Sequence, residues 1–132
     1  MKKWISICVL LLSFFFPGCG GSNIKFSGKV TFPDGQPLTM GLVCFSTSTF
    51  MASGQLQPDG TYSLGSLSEN DGIPPGKYKV YVQGAAKETA DGKMNNLIDK
   101  KFMEMASTPL EYEVKKGESP KFDFVVEYPP KK

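Results

Sequence analysis

The chain of 132 residues has no histidine, and all 15 of its basic side chains are lysines, so arginine is missing as well. Missing histidine removes the usual general base, the Ser-His-Asp triad and the commonest zinc ligand. Missing arginine argues against a nucleic-acid partner, because bidentate readout of phosphate and guanine relies on the guanidinium fork. A Ser–Lys pair or two carboxylates remain chemically competent, but no spacing singles one out. No catalytic, cofactor-binding or metal-ligating residue is therefore expected, and the chain reads as a non-enzyme. Cysteine is scarce, with three, and tryptophan occurs once. Long apolar runs are also scarce, and the single one present is the most informative stretch of the chain.

That run is Trp4 to Phe16, behind Lys2 and Lys3. As a helix it would be about 20 Å long, against a bilayer core of roughly 30 Å. It is short for a permanent span and suits the apolar part of an export signal. Pro17 and Gly18 lead directly into Cys19, and polar residues follow. A small residue before cysteine at the end of such a run is the arrangement of a bacterial lipobox, in which the thiol accepts a diacylglycerol. Phe16 departs from that pattern, which prefers leucine at this place. The expected organisation is a lipoprotein signal peptide over 1–18, lipidated Cys19 with a tether over 19–23, a folded domain over 24–128, and a disordered tail over 129–132. An ordinary secretory signal and an uncleaved anchor are the alternatives. Two or three acyl chains would hold the protein firmly at the cell envelope, where one binds only marginally. Gly20, rather than aspartate, follows the cysteine and would permit sorting to the outer membrane of a two-membrane cell.

Removal of 1–18 changes the chemistry of what is left. Lys2 and Lys3 depart, so 13 lysines face 13 acidic residues. The only Trp leaves, and Cys8 leaves with it. Cys44 is then the one unmodified cysteine, and its expected role is a small buried hydrophobe in a strand. The 114 residues from 19 to 132 suit one domain. The tether, Gly20 to Asn23, reaches at most about 14 Å and keeps that domain near the membrane.

The mature chain alternates. Ile24, Phe26, Gly28, Val30 and Phe32 share one face, and Lys25, Ser27, Lys29 and Thr31 the other. Gly41 to Thr49 form a second strand with Val43 and Phe45 inward, and Gly54 to Gln57 a weaker third. Tyr62 and Leu64 mark the fourth. Tyr78, Val80 and Val82 are inward on the fifth, with Tyr81 outward. Leu110, Tyr112 and Val114 mark the sixth, and Phe122, Phe124 and Val126 the seventh. Asp34, Asp59, Asp71 and Asp91 each precede a glycine, and their expected role is turn chemistry. Seven short, one-sidedly alternating strands with frequent turns predict an all-β, antiparallel β-sandwich. Residues 85–108 break the alternation. Met94, Leu97, Ile98, Phe102 and Met105 recur at helical spacing, which predicts a short amphipathic helix or irregular segment around 94–105. Packing over the end of the sandwich is its favoured role. An exposed interaction patch of Leu97, Ile98, Phe102 and Met105 is the alternative.

The segments "FSGKVTFPDGQPLTMGLVCFS", "PDGTYSL", "DGIPPGKYKVYV" and "STPLEYEVKKGESPKFDFVV" resemble small bacterial lipoproteins with a carboxypeptidase regulatory-like, or transthyretin-like (prealbumin-like), domain. The resemblance spans about residues 24–128, and "DGIPPGKYKVYV" is its most specific piece. It implies a seven-stranded sandwich related to transthyretin and an accessory or structural role without an activity. The enzymatic branch of transthyretin-like proteins, which hydrolyses 5-hydroxyisourate, depends on histidine, arginine and a terminal Tyr-Arg-Gly-Ser. This chain has neither residue type and ends Tyr-Pro-Pro-Lys-Lys.

Three further chemistries are weighed. Calcium needs several closely spaced oxygens, and only Glu69-Asn70-Asp71 approaches that. A Lys–Asn or Lys–Asp isopeptide crosslink needs buried partners, whereas Lys25, Lys29 and Asp123 lie on polar phases. Carbohydrate binding is the alternative function, with Tyr81, Phe50 and Tyr128 as the available aromatic surface. The expected partners are the membrane, through Cys19, and an envelope protein or glycan.

Overall fold

The computed structural model describes residues 23–66, 71–117 and 120–131. The signal segment, Cys19, Glu69 and Asn70 lie outside the described residues. Among the described residues nine strands are present: β1 Ser27–Thr31, β2 Leu42–Ser46, β3 Met51–Gln55, β4 Thr61–Ser63, β5 Gly76–Gln83, β6 Ala86–Glu88, β7 Met94–Asn96, β8 Leu110–Val114 and β9 Phe124–Val125. Seven of them build two sheets, ordered β4-β1-β9 and β3-β2-β5-β8, and β6 with β7 forms a separate ribbon. The sandwich expected from alternation is thus observed, and the ribbon is an addition to it.

The inward positions of both sheets form one core around Phe45, which is fully buried. Its ring meets Phe26 edge-on at 4.9 Å and lies 6.2–6.4 Å from Tyr62, Tyr78, Tyr112 and Phe122. These separations lie in the range where aromatic pairs add to plain area burial. Turns between the strands follow from their sequences. Asp34 accepts from the Gln36 amide and Asp59 from the Thr61 amide, each with the next glycine at positive φ. Asp71 likewise accepts from the Ser66 amide. Three of the four Asp–Gly pairs sit at turns, the third being Asp91–Gly92 at the tip of the ribbon; Asp71–Gly72 instead leads into the Ile24–Ile73 bridge, with the Gly72 amide donating to the Leu64 carbonyl.

The two sides of the sandwich are closed differently. On one side β3 meets β4, where Ser53 and Gly65 exchange two backbone hydrogen bonds of 3.0 and 2.9 Å. Gly54 is required there, because a Cβ would lie 2.2 Å from the Ser63 carbonyl oxygen. The opposite side, between β8 and β9, has no such bridge among the described residues. Half-buried Tyr112 and Phe122 fill it instead, with their ring centroids 4.7 Å apart.

Two expectations are corrected, and two stated alternatives are decided. The pairing is not antiparallel throughout: β9 runs parallel to β1, with Val30 opposite Phe124 and Thr31 opposite Val125. β9 belongs to the other sheet from β8 and pairs with a strand far away in sequence, so no hairpin imposes an antiparallel partner. The third strand lies at 51–55 rather than 54–57, because its inward residues are Ala52 and Gly54, too small to register as an apolar period. No amphipathic helix spans 94–105. Residues 94–96 are a ribbon strand, and the helical part is one 3₁₀ turn, Lys100–Phe102, capped by the Asp99 carboxylate on the Lys101 amide. Thr89, Asp91 and Gly92 turn the chain and override the apolar spacing. Finally, Ile98 and Phe102 are core residues with 0% and 4% exposure, and Leu97 packs against the core. Packing therefore prevails over the exposed patch, and of its four residues only Met105 is exposed.

The chain end is held as far as Tyr128. Its ring stacks on Phe32 at 4.0 Å, and its hydroxyl donates to Asp34 at 3.0 Å. Pro129 beyond it is half-buried.

Candidate functional surface on the four-stranded sheet

The outer face of β5 and β8 carries matched charges. The antiparallel register places Lys79 opposite Glu111 and Lys77 opposite Glu113. Lys79 Nζ lies 2.5 Å from Glu111 Oε1, and that hydrogen-bonded lysine holds the Glu111 carboxyl below the usual carboxylate range. All four side chains border an open depression of about 470 Å³, with Ser46, Thr47, Ser48 and Met105 on its rim. The end of β2 and the turn after it supply the serine and threonine wall, where the Thr47 hydroxyl accepts from the Phe50 amide and fixes the β2–β3 turn. β8 is anchored at its entry by buried Thr108, whose hydroxyl donates to the Val80 carbonyl at 2.5 Å and accepts from the Leu110 amide at 3.2 Å. This is a polar, alternating-charge surface with an apolar methionine at its margin.

Further along the same face, the expected exposed Tyr81 is buried, with 6% exposure. Alternation assigned its side of the sheet rightly, but not its depth. Tyr81 sits opposite Cys44, yet its hydroxyl reaches Ser46 at 3.0 Å and Met51 Sδ at 3.8 Å. The ring therefore lies along the sheet instead of standing out from it. Cys44 is fully buried, as expected of a small strand hydrophobe. Burial pushes its thiol up to about 11, against smaller opposing hydrogen bonds from Gln83 and Tyr81.

The aromatic surface for a glycan contracts accordingly. Phe50 is half-buried and meets Tyr78 edge-on at 6.1 Å. Tyr128 is the one exposed aromatic among the described residues, and it is stacked on Phe32. Lys25, Lys29 and Asp123 are exposed, and Asp123 accepts from the Lys29 amide at 2.9 Å. Among the described residues no three His, Cys, Asp or Glu side chains converge as metal ligands would. Asp71, the described member of the calcium candidate, is engaged with Ser66.

Comparison with solved structures supports the architecture. The chain is similar in fold to a pilin subunit. A variant of BcpA, the major pilin subunit of Bacillus cereus, superposes with a TM-score of 0.51 at 10% identity, over 83% of this chain and 30% of the pilin. The Bacillus anthracis TIE protein is also similar, with a TM-score of 0.47 at 15% identity, over 81% of this chain and 17% of that one. The chain thus spans less than a third of either protein. No protein-family model matches the chain, and no curated protein matches it in sequence. Among the described residues no helix is long and apolar enough to cross a membrane.

Sequence reasoning missed the Lys79–Glu111 pair and Thr108. The signal was present as Lys-x-Lys in β5 and Glu-x-Glu in β8, but nothing local says that these two strands are neighbours.

Proposed function

We propose that this protein is a lipid-anchored, non-enzymatic interaction module of the cell envelope, held by acyl chains on Cys19. The observation that carries the reading is the sequence Lys2-Lys3, apolar run, Gly18-Cys19, followed within a few residues by a folded sandwich. A four-residue tether places the domain beside the membrane, in reach of neighbouring envelope proteins. The pilin likeness supports a sandwich used for protein–protein contact, since BcpA is a pilin subunit. Membership among the carboxypeptidase regulatory-like lipoproteins is part of the same reading, as is sorting to the outer membrane where two membranes are present.

Metabolic labelling with a fatty acid, in cells making the full chain or its Cys19→Ala variant, tests the anchor. The expected result is label on the parent protein and none on the variant, which retains its signal peptide. Label that persists in the variant, or never enters the parent, overturns the proposal.

A further inference from the structure

We infer that the free edge of β8 docks an extended partner segment in which lysine or arginine alternates with apolar residues. The inference deepens the interaction-module reading and rests on it. Three observations carry it.

The first is the edge itself. Among the described residues β8 is paired with β5 on one side and ends the sheet on the other. The Leu110 amide turns toward β5, through Thr108 to the Val80 carbonyl. Backbone groups alternate along an antiparallel strand, so those of Glu111 and Glu113 face the free edge. An unpaired edge is a template for another strand.

The second is charge. Lys77 and Lys79 are each met across the ladder by a glutamate. A strand added beyond β8 brings its own outer side chains opposite Glu111 and Glu113. Opposite charges there stabilise the pair, and like charges destabilise it. A second copy of β8 would set glutamate against glutamate in every register that pairs the outer face of Leu110–Val114 with itself. The occupant is therefore a basic partner and not a second copy of this chain.

The third is the seam. Leu110, Tyr112 and Phe122 are only partly buried where the sandwich lacks a bridge. The alternate residues of an added strand fall on these side chains, so apolar ones would complete their burial.

The test uses the full chain in non-ionic detergent, with a short synthetic peptide alternating lysine with valine and a scrambled peptide of the same composition. Binding is read by fluorescence anisotropy, and its place by amide hydrogen exchange. The expected result is protection at Glu111 and Glu113 by the alternating peptide, with the scrambled peptide about five-fold weaker or worse, the scale of two cross-strand ion pairs. The double variant Glu111→Lys, Glu113→Lys should prefer a glutamate–valine peptide. If that variant does not fold, Glu111→Gln with Glu113→Gln should bind the lysine peptide no better than its scrambled form. Equal binding of the two peptides, protection away from β8, unchanged preference in the variants, or a dimer through β8 by sedimentation would each overturn the inference. Fatty-acid labelling of Cys19 alongside failed peptide binding would remove this inference alone and leave the anchored-module reading standing.

Discussion

The two long sides of this sandwich solve the same problem in opposite ways. Where β3 meets β4, backbone bonds between Ser53 and Gly65 join the sheets, and the contact is so close that Gly54 admits no side chain. Where β8 faces β9, aromatic rings fill the gap and the backbone of β8 stays open. A backbone bridge gives closure without a surface to share. A ring-filled seam gives burial while keeping a strand edge for a partner. Tyr62 ties the two regions together: its hydroxyl crosses Gly28 to donate to the Phe122 carbonyl at 2.7 Å.

The largest expected effect comes from removing what both sides share. Phe45→Ala should cost about 3–5 kcal/mol by urea unfolding, the usual range for a buried aromatic, because its ring packs on Tyr62 and also on Tyr112 and Phe122. A cost under about 1 kcal/mol would mean the two sides do not share one core.

Gly54→Ala attacks the bridged side alone. Its Cβ would sit 2.2 Å from the Ser63 oxygen, so β3 or β4 must move. A loss of about 1–3 kcal/mol is expected, the range for overpacking, together with rapid exchange of the Ser53 and Gly65 amides. Unchanged stability would show that the bridge tolerates a side chain.

Tyr62→Phe loosens the tie between the sides and should cost about 1 kcal/mol for the lost hydrogen bond. It also has a pH signature. Burial, then the nearby Asp123 charge and Tyr112, raise the Tyr62 hydroxyl well above its ordinary value of 10.0. The folded state thus holds a proton that the unfolded state releases. The linked stability is fully present below pH 10 and declines as pH rises above it. Denaturant midpoints between pH 9 and 11 should fall less steeply for Tyr62→Phe than for the parent. Identical slopes would remove Tyr62 from the account.

The smallest effect belongs to the open side. Glu111→Gln should leave the urea midpoint unresolved from that of the parent, since the exposed Lys79 pair is screened by solvent. A clear loss of stability would mean that the charge ladder maintains the fold and is not spare surface.

How much of this was legible follows from which signals are local. The Asp–Gly turns at 34, 59 and 91 and the inward phases of β1, β5 and β8 depend on neighbouring residues, so they read directly from the sequence, whereas Asp71–Gly72 leads into a bridge with Ile24. Depth does not: alternation put Tyr81 on the outer face, but only Ser46, on a strand 35 positions away, shows that it lies flat and buried. The apolar spacing of Met94 to Met105 misled for a related reason. Ile98 and Phe102 do reach the core together, while Met94 belongs to the ribbon and is 64% exposed. Parallel pairing of β1 with β9, and the Ser53–Gly65 bridge, join segments with no shared local pattern. The candidate surface was half legible, as two charge alternations whose adjacency only the fold supplies.

The contrast between the two sides is tested most directly by residue-resolved hydrogen exchange under native conditions. The Ser53 and Gly65 amides should exchange only with global unfolding, while those of Glu111 and Glu113 exchange through small local openings, orders of magnitude faster. Equal protection of the four amides would contradict the account, because β8 would then have no free edge to offer.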